Sequence, residues 1–369
     1  MSYKKYFTEL NKYDVLEGMA DWVRVVDGEF NVVYANNTMR AALGEEIVGL
    51  PCYAAFEKSE KCNFCLAKRT IETGEVIQME EQYRGRAYSV KSSPVRDDDG
   101  NIFAAVEVFR DVTRERKLEQ VLIERNKNIR ADIRFASTIQ ERLLPDKKAI
   151  KGINFDYVYQ PSQVLSGDIF DIIIFDDNTV GMYMADVVGH GVSASMMTMF
   201  IYHTVRMASL YTSEPGELLK FVHKKFLDLN LETDKYFSLL YAKLDLKNHE
   251  FSFSNAGHNC APLIWSNSSV EVLEQFGYPI MNLRDELKFD TKSVNLKQGD
   301  KVLLYTDGCV EIRDSSGQML GVDGLVALYQ EFGHMTLHNI FDKVLRFSWG
   351  EQKDDYAMLQ VEIGETQND

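Results

Sequence analysis

Residues 113–144 contain neither Gly nor Pro, and Pro145 closes the run. Apolar residues recur in it at spacings of three and four, the period of one face of an α-helix. The seam positions are Leu118, Leu122, Arg125, Ile129, Ile133, Ala136, Ile139 and Leu143, with Arg125 as a polar interruption. The run therefore predicts one long helix that joins an N-terminal segment to a C-terminal segment.

Two interpretations of this helix remain open. The seam fits a surface helix that packs on its own domain, and it also fits a two-helix coiled contact. The position of the helix between two domains favours a signalling helix at a dimer seam. We therefore expect a homodimer formed through the helix of residues 113–144 and the N-terminal domain.

Residues 12–112 mix short strand patterns with turns. Asp27-Gly28 separates two β-branched runs, and Asp97-Asp98-Asp99-Gly100 separates two longer ones, so each turn predicts a β-hairpin. Asn37–Leu43 and Cys65–Thr73 have helical patterns and lie between the hairpins. Together these elements predict a small α+β domain.

Residues 146–364 show many consecutive strand patterns with helical patterns inserted between them. Such an order is typical of a large sheet system flanked by helices. The predicted organisation is a first domain at 12–112, a linker helix at 113–145 and a second domain at 146–364, with an α+β fold class throughout.

The composition excludes several classes of protein. Hydrophobic residues make up 45% and charged residues 26%, an ordinary globular balance, and the apolar runs are shorter than the roughly 18 residues of a membrane span. The net charge of −15 argues against general nucleic-acid binding, which depends on neutralising phosphates. Five cysteines, an odd number, with no export signal predict reduced thiols and a cytoplasmic location.

Aspartates stand at strand boundaries in the second domain. These are Asp168, Asp186, Asp307 and Asp354. Each one alone has an ordinary explanation as a turn or cap residue. Converging carboxylates repel one another unless a cation lies between them, and oxygen ligands favour Mg²⁺ or Mn²⁺. The four together therefore indicate a hard divalent metal site.

Six motifs in chain order carry a resemblance to a known family. They are Ile139–Pro145, Ser166-Gly167-Asp168-Ile169-Phe170-Asp171, Asp186-Val187-Val188-Gly189-His190-Gly191, Asn255-Ala256-Gly257-His258-Asn259, Gly299–Gly308 with Glu311, and Asp354-Asp355. Residues 135–364 resemble a SpoIIE-type (RsbU-like) serine/threonine phosphatase of the metal-dependent phosphatase 2C superfamily. The resemblance implies a β-sandwich flanked by helices.

The resemblance also implies the site and the reaction. The ligands of two Mn²⁺ or Mg²⁺ ions, and the catalytic residues, would be Asp186, Asp307 and Asp354. Val187 would add its backbone carbonyl and Asp168 would be an auxiliary ligand. Asp171 and Asp355 are second-choice ligands or neighbours of the ligands. A metal-bound hydroxide would hydrolyse a phosphoserine or phosphothreonine on a STAS-domain anti-anti-sigma-factor protein in bacterial partner switching.

The sequence departs from the family pattern at three places. Ser166 replaces a Gly, Ala357 stands where a Thr is usual, and Pro279-Ile280-Met281 replaces Pro-Leu-Gly. We expect these changes to affect rate and loop geometry more than reaction class. The alternative function is a weak or inactive scaffold that binds a phosphoprotein partner.

Two histidines in the motifs have the pKa range of a general acid. We interpret His258 as structural, in a turn flanked by Gly257, and leave the role of His190 open.

The first domain resembles a PAS sensor domain. The resemblance rests on Asp27-Gly28, Ala35-Asn36, Gly49–Tyr53 and the closing Phe109–Thr113. It implies a domain that binds haem, flavin or a small ligand, or binds nothing, and that often dimerises. Haem held by a His of this domain is excluded, because residues 1–189 contain no His.

Cys52, Cys62 and Cys65 leave three interpretations open in this domain. Cys62-Asn63-Phe64-Cys65 has the spacing of metal ligands, and Cys52 supplies a third thiol, although such sites usually need four ligands. A Cys-x-x-Cys pair can also be a redox pair. Reduced, partly buried thiols are the simplest interpretation.

Overall fold

The computed structural model describes residues 14–147, 150–189, 191–282 and 287–364. The chain divides into two compact units with the boundary between Asn128 and Ile129. Within the described parts of the chain, none of the helices combines the length and apolar composition that crossing a bilayer requires.

The first unit is built on one antiparallel sheet. Its strands are Trp22–Asp27 (β1), Val32–Ala35 (β2), Ile77–Tyr83 (β3), Arg86–Arg96 (β4) and Ile102–Asp111 (β5). They lie in the order β2-β1-β5-β4-β3, so the two predicted hairpins, β1–β2 and β4–β5, are confirmed. The helices are Asp14–Glu17 (α1), Asn37–Leu43 (α2) and Leu66–Thr73 (α3), with 3₁₀ turns at Glu45–Ile47 and Ala54–Phe56. This is the small α+β domain that the sequence predicts.

The core of the first unit lies between the sheet and the helices. Val26, Tyr88 and Phe109 come from the sheet, and Met39 and Leu66 come from the helices. The Asn36 side chain accepts from the Met39 N–H at 3.1 Å and so caps α2.

The linker helix α4 runs from Thr113 to Leu143, as the absence of Gly and Pro predicts. Leu118, Leu122 and Ile129 on its seam are 55%, 59% and 55% exposed. Gln140, near its C-terminal end, is 2% exposed. The apolar seam is therefore exposed to solvent over the first turns of the helix. The last turns of the helix are packed against the segments that carry Ser166 and Thr198.

The second unit contains two antiparallel sheets. Its strands are Ile153–Gln160 (β6), Asp168–Ile174 (β7), Thr179–Val187 (β8), Tyr236–Asp245 (β9), Glu250–Ala256 (β10), Leu263–Ser266 (β11), Ser269–Val272 (β12), Ile280–Met281 (β13), Lys292–Asn295 (β14), Lys301–Tyr305 (β15) and Tyr356–Ile363 (β16). One sheet has the order β14-β10-β9-β8-β7 with β13 on β9, and the other has the order β12-β11-β15-β16-β6.

The two sheets form a sandwich flanked by helices, as predicted. Phe170, Met182 and Phe253 of one sheet share a buried cluster with Val302 and Leu359 of the other. The helices are Val192–Ser209 (α5), Pro215–Leu227 (α6), Gly321–Phe332 (α7) and Leu337–Phe347 (α8). The helices α5 and α6 cover the first sheet, and α7 and α8 cover the second. The fold is thus four layers, helix–sheet–sheet–helix.

Candidate metal centre

Four aspartates, here called the acidic cluster, come from both sheets of the sandwich. Asp168 begins β7 and lies directly opposite Asp186 on β8. Asp307 opens a 3₁₀ turn after β15, and Asp354 lies just before β16. Because β15 pairs with β16, these two acids lie at the same end of the second sheet. The charges of Asp307 and Asp354 both act on Asp186, so the two pairs of acids lie within electrostatic range of each other.

Burial and mutual repulsion both act on the acidic cluster. Burial raises the pKa of Asp168 well above its usual range, and the negative charge of Asp186 raises it further. Burial also raises the pKa of Asp186, and the charges of Asp307 and Asp354 add to the rise. The pKa of Asp354 is raised by burial and by Asp307. A cation among these groups would relieve the repulsion, since opposite charge stabilises an ionised carboxylate.

The donor atoms fit a hard divalent cation. Asp168 is 3% exposed, and its Oδ2 is buried with no hydrogen-bond partner among the described residues. A buried carboxylate oxygen without a partner is costly unless a ligand satisfies it. Across the described residues, however, no group of three His, Cys, Asp or Glu already stands in ligand geometry. The carboxylates would therefore have to approach one another when a cation binds.

Asp355 anchors the loop that leads to Asp168. Its Oδ1 accepts hydrogen bonds from the Ser162 backbone N–H at 2.6 Å and the Ser162 hydroxyl at 2.8 Å. Its Oδ2 accepts from the Ser166 hydroxyl at 2.7 Å and the Gly167 N–H at 2.8 Å. With four hydrogen bonds already made, Asp355 positions the loop.

The departures from the family pattern have local explanations. The Ser166 hydroxyl donates to Asp355 and accepts from the Asp168 N–H at 3.0 Å, so it adds contacts that a Gly lacks. Near Ala357, Thr306 supplies a hydroxyl, which accepts from the Ala357 N–H at 3.2 Å. Ile280–Met281 forms the short strand β13 against β9, which gives that loop a defined conformation.

Close backbone packing surrounds Val187. A Cβ on Gly167 would lie 3.1 Å from the Val187 carbonyl oxygen and 3.2 Å from that of Gly189. Gly308 is tighter, because a Cβ there would lie 2.0 Å from the Asp355 carbonyl oxygen. The glycines of these motifs therefore let the segments that carry the acids approach one another.

Asp171 does not join the acidic cluster. Its Oδ2 accepts from Arg206 Nε at 2.8 Å and lies 2.8 Å from Arg206 Nη2, and its Oδ1 accepts from the Ile172 N–H. Asp171 is three residues from Asp168 on one strand, and odd spacing puts it on the opposite face. Its role is to pair with a helix that covers the sheet.

His258 is held between two partners within the protein. One ring nitrogen, Nε2, lies 3.0 Å from the Tyr305 carbonyl oxygen, and Nδ1 lies 3.0 Å from the Ser238 hydroxyl. A carbonyl can only accept, so Nε2 carries the proton and Nδ1 accepts. Burial lowers the pKa of His258. This agrees with the structural role expected from the sequence; His190 lies outside the described residues.

Gln140 also contributes to the site, and the sequence did not predict its role. Its Nε2 donates to the Ser166 carbonyl at 2.8 Å and to the Thr198 hydroxyl at 2.9 Å. Its Oε1 accepts from the Ser166 N–H at 3.1 Å. The only signal was a glutamine inside the motif Ile139–Pro145, and the structure shows that it joins the end of α4 to the Asp168 loop.

Comparison with known families identifies the chain. The family described as Stage II sporulation protein E (SpoIIE) matches residues 176–364, just over half of the chain. The chain belongs to the SpoIIE family. A PAS fold matches residues 16–117, so this SpoIIE-family member carries a PAS domain ahead of its second unit.

Relatives of this SpoIIE-family chain include two proteins of Bacillus subtilis (strain 168). Phosphoserine phosphatase RsbP is 25% identical over 188 residues, which cover 50% of this chain and 46% of RsbP. Phosphoserine phosphatase RsbU is 23% identical over 241 residues, which cover 63% of this chain and 70% of RsbU. The chain thus spans less than half of the length of RsbP.

A solved structure agrees with the fold. The SiaA-PP2C domain of Pseudomonas aeruginosa superposes with a TM-score of 0.57 at 19% identity. The match covers 64% of this chain and 98% of that domain. The second unit therefore has the fold of a PP2C-type domain.

Proposed function

We propose that this SpoIIE-family chain is a sensor-regulated, metal-dependent protein serine/threonine phosphatase. The observation that carries the proposal is the acidic cluster, in which a buried Asp168 oxygen lacks a hydrogen-bond partner among the described residues. The names of the relatives RsbP and RsbU, both phosphoserine phosphatases, support the reaction class. The expected acids are all present, which argues against the scaffold alternative.

Two Mn²⁺ or Mg²⁺ ions are the proposed cofactors. Asp186, Asp307 and Asp354 would hold them, with Asp168 and the Val187 carbonyl as further ligands. When bound, such ions activate water for attack on phosphorus and neutralise charge on the phosphoryl oxygens. The chain's own contribution is positioning, because Asp355 and Gln140 hold the loop that presents Asp168.

The proposed substrate is a phosphorylated STAS-domain protein, as the family resemblance implies. A cavity of about 150 Å³ lies beside Asp354, and Arg313, Trp349 and Lys353 line it. Glu311 and Glu351 also line this cavity, so a phosphate-bearing segment of a protein would contact Arg313 and Lys353 on a surface of mixed charge beside the candidate metal site. Trp349 is 74% exposed and offers that segment an apolar face.

Regulation would come from the PAS domain through α4. The exposed Leu118, Leu122 and Ile129 support the proposal of a homodimer through this helix, because apolar residues at a coiled-coil period favour a partner helix. All five cysteines are free thiols, which supports the proposed cytoplasmic location.

The test is phosphate release from a phosphoserine peptide by the full chain, with Mn²⁺, with Mg²⁺ and with EDTA. Activity should need the metal and should be lost in Asp186→Asn. The matched control is Asp228→Asn, which changes an exposed aspartate paired with Lys225 at 2.9 Å and should keep activity. Calorimetric Mn²⁺ binding, measured in parallel, should weaken only in Asp186→Asn.

The outcomes separate the two functions. A chain that binds Mn²⁺ but releases no phosphate from a peptide, an aryl phosphate or a phosphorylated STAS-domain protein would be a scaffold. A chain that neither binds Mn²⁺ nor releases phosphate would contradict both the metal centre and the phosphatase.

A further inference from the structure

Three thiols of the PAS unit surround one cavity. Cys52, Cys62 and Cys65 line a space of about 220 Å³ together with Lys61 and Lys68. Cys52 is buried, whereas Cys62 and Cys65 are half-buried. A small polar oxidant can therefore reach Cys65 from the cavity.

Cys65 has the surroundings of a reactive thiol. It is the N-cap residue of α3, and its sulfur accepts a hydrogen bond from the Lys68 N–H at 3.5 Å. Cys52 lines the same cavity and interacts electrostatically with Cys65. The interaction with Cys52 and the Lys68 N–H both favour the thiolate and lower the pKa of Cys65, against the effect of burial, while the pKa of Cys52 is raised.

We propose that Cys65 and Cys52 form a peroxide-reactive dithiol, a site of reversible oxidation in the PAS unit. The argument rests on the cavity that both thiols line, the Lys68 N–H that donates to the Cys65 sulfur and the position of Cys65 at the helix N-terminus. It is independent of the phosphatase reaction.

The chemistry has two steps. The Cys65 thiolate attacks one oxygen of hydrogen peroxide, the O–O bond breaks, and the leaving hydroxide takes up a proton to become water. The Cys52 sulfur then attacks the sulfur of the Cys65 sulfenic acid. The S–S bond forms, the S–O bond breaks, and hydroxide leaves with the proton from Cys52 as a second water. The dithiol loses two electrons to the peroxide.

A three-thiolate metal site fits less well. Lys58 Nζ lies 3.6 Å from the Cys62 sulfur, so a cation already faces this thiol. The cavity is therefore better suited to thiol chemistry than to a metal ion.

Oxidation would act on a turn that is tied to the sheet. Arg24 Nη1 donates to the Cys52 carbonyl at 2.7 Å, and Arg24 Nε donates to Glu107 on β5, also at 2.7 Å. This ion pair is buried on both sides. The strand β5 ends at Asp111 and α4 begins at Thr113. The Cys52 carbonyl is therefore linked through Arg24 and Glu107 to the strand that leads into the linker helix.

The experiment uses the full chain, first reduced and then treated with hydrogen peroxide, alkylated and mapped by peptide mass spectrometry. The expected product is a Cys52–Cys65 disulfide that dithiothreitol reverses. Cys62→Ser, the matched control, should form the same disulfide. Cys65→Ser should form none in this unit, and Cys52→Ser should leave a Cys65 sulfenic acid that dimedone captures.

One measurement needs no variant, and it covers the case in which a substitution at buried Cys52 prevents folding. In the reduced wild-type chain, iodoacetamide should label Cys65 faster than Cys62 at pH 7. A Cys62–Cys65 disulfide as the main product would overturn the proposal. So would labelling of Cys65 no faster than that of buried Cys260, or stoichiometric zinc that protects the three thiols.

Discussion

Replacing Gln140 with Ala should weaken metal binding without unfolding the protein. The side chain is 2% exposed and makes three hydrogen bonds, two to the backbone of Ser166 and one to Thr198. Thr198 keeps a bond to the Ser195 carbonyl at 2.8 Å in the variant. The groups left without their partner are therefore the N–H and C=O of Ser166, which is itself buried.

The size of the effect follows from these two groups. An unsatisfied buried polar group costs about 1–3 kcal/mol. With two such groups, the native conformation of the loop should be destabilised by about 2–6 kcal/mol in the variant. Ser166 is two residues from Asp168, and the loop can relieve the penalty by moving towards water. If returning the displaced loop to its metal-binding position costs about 2 kcal/mol, the apparent Mn²⁺ affinity falls by more than tenfold, because about 1.4 kcal/mol corresponds to a factor of ten.

The assay is calorimetric Mn²⁺ titration with urea unfolding of the same samples. Gln120→Ala is the matched control, since Gln120 lies on the same helix and is exposed. The control should change neither measurement. In Gln140→Ala the Mn²⁺ affinity and phosphate release should both fall, with a smaller loss in unfolding free energy.

A loss of stability without a loss of Mn²⁺ affinity would refute the reasoning. If Gln140→Ala unfolds at much lower urea but binds Mn²⁺ as tightly as wild type, Gln140 supports the fold and not the loop. If neither quantity changes, the hydrogen bonds to Ser166 contribute nothing measurable.

Three further predictions use other parts of the structure. Asp355→Ala removes four hydrogen bonds to the loop, so unfolding free energy should fall by about 2–4 kcal/mol; unchanged urea midpoints and activity would argue against the anchoring role. Trp349→Ala truncates an exposed side chain beside Asp354 and should raise KM for a phosphoprotein but not for an aryl phosphate, with an unchanged Tm; equal effects on both substrates would exclude protein docking there. Burial raises the pKa of Asp171 from 3.8 to about 6, because its effect outweighs that of Arg206. Between these two pH values the folded state holds a proton that the unfolded chain releases. The stability that this proton contributes is therefore lost as pH rises through about 6. Urea unfolding across pH 4–7 should show that fall in wild type and a flatter curve in Asp171→Asn, and parallel curves would contradict the assignment.

The elements with a strong period or a clear boundary could be predicted from the sequence. The linker helix was predicted at 113–145 and observed at Thr113–Leu143, because no Gly or Pro interrupts it and Pro145 follows it. β3 was not predicted. Its sequence, Ile77–Tyr83, holds four Glu or Gln residues, and its half-buried positions Ile77, Met79 and Tyr83 alternate because one face packs on the core of the first unit.

The site divides in the same way. Asp168, Asp186, Asp307 and Asp354 could be selected because each follows or precedes an apolar strand, and the fold brings them together. Asp171 was selected because it is near Asp168 in sequence, although strand alternation points it to Arg206. Gln140 was missed because its partners lie 26 and 58 residues away, and sequence spacing does not reveal such contacts.

The pairing of Asp168 with Asp186 across β7 and β8 has a consequence for how this protein can fail. Side chains alternate between the two faces of a strand, so a shift of one residue would turn Asp168 away from Asp186 and would turn Phe170 out of the core. Packing and ligand alignment thus depend on the same register. Substitutions at buried core positions such as Met182, four residues from Asp186 along β8, would be expected to appear first as a loss of metal affinity.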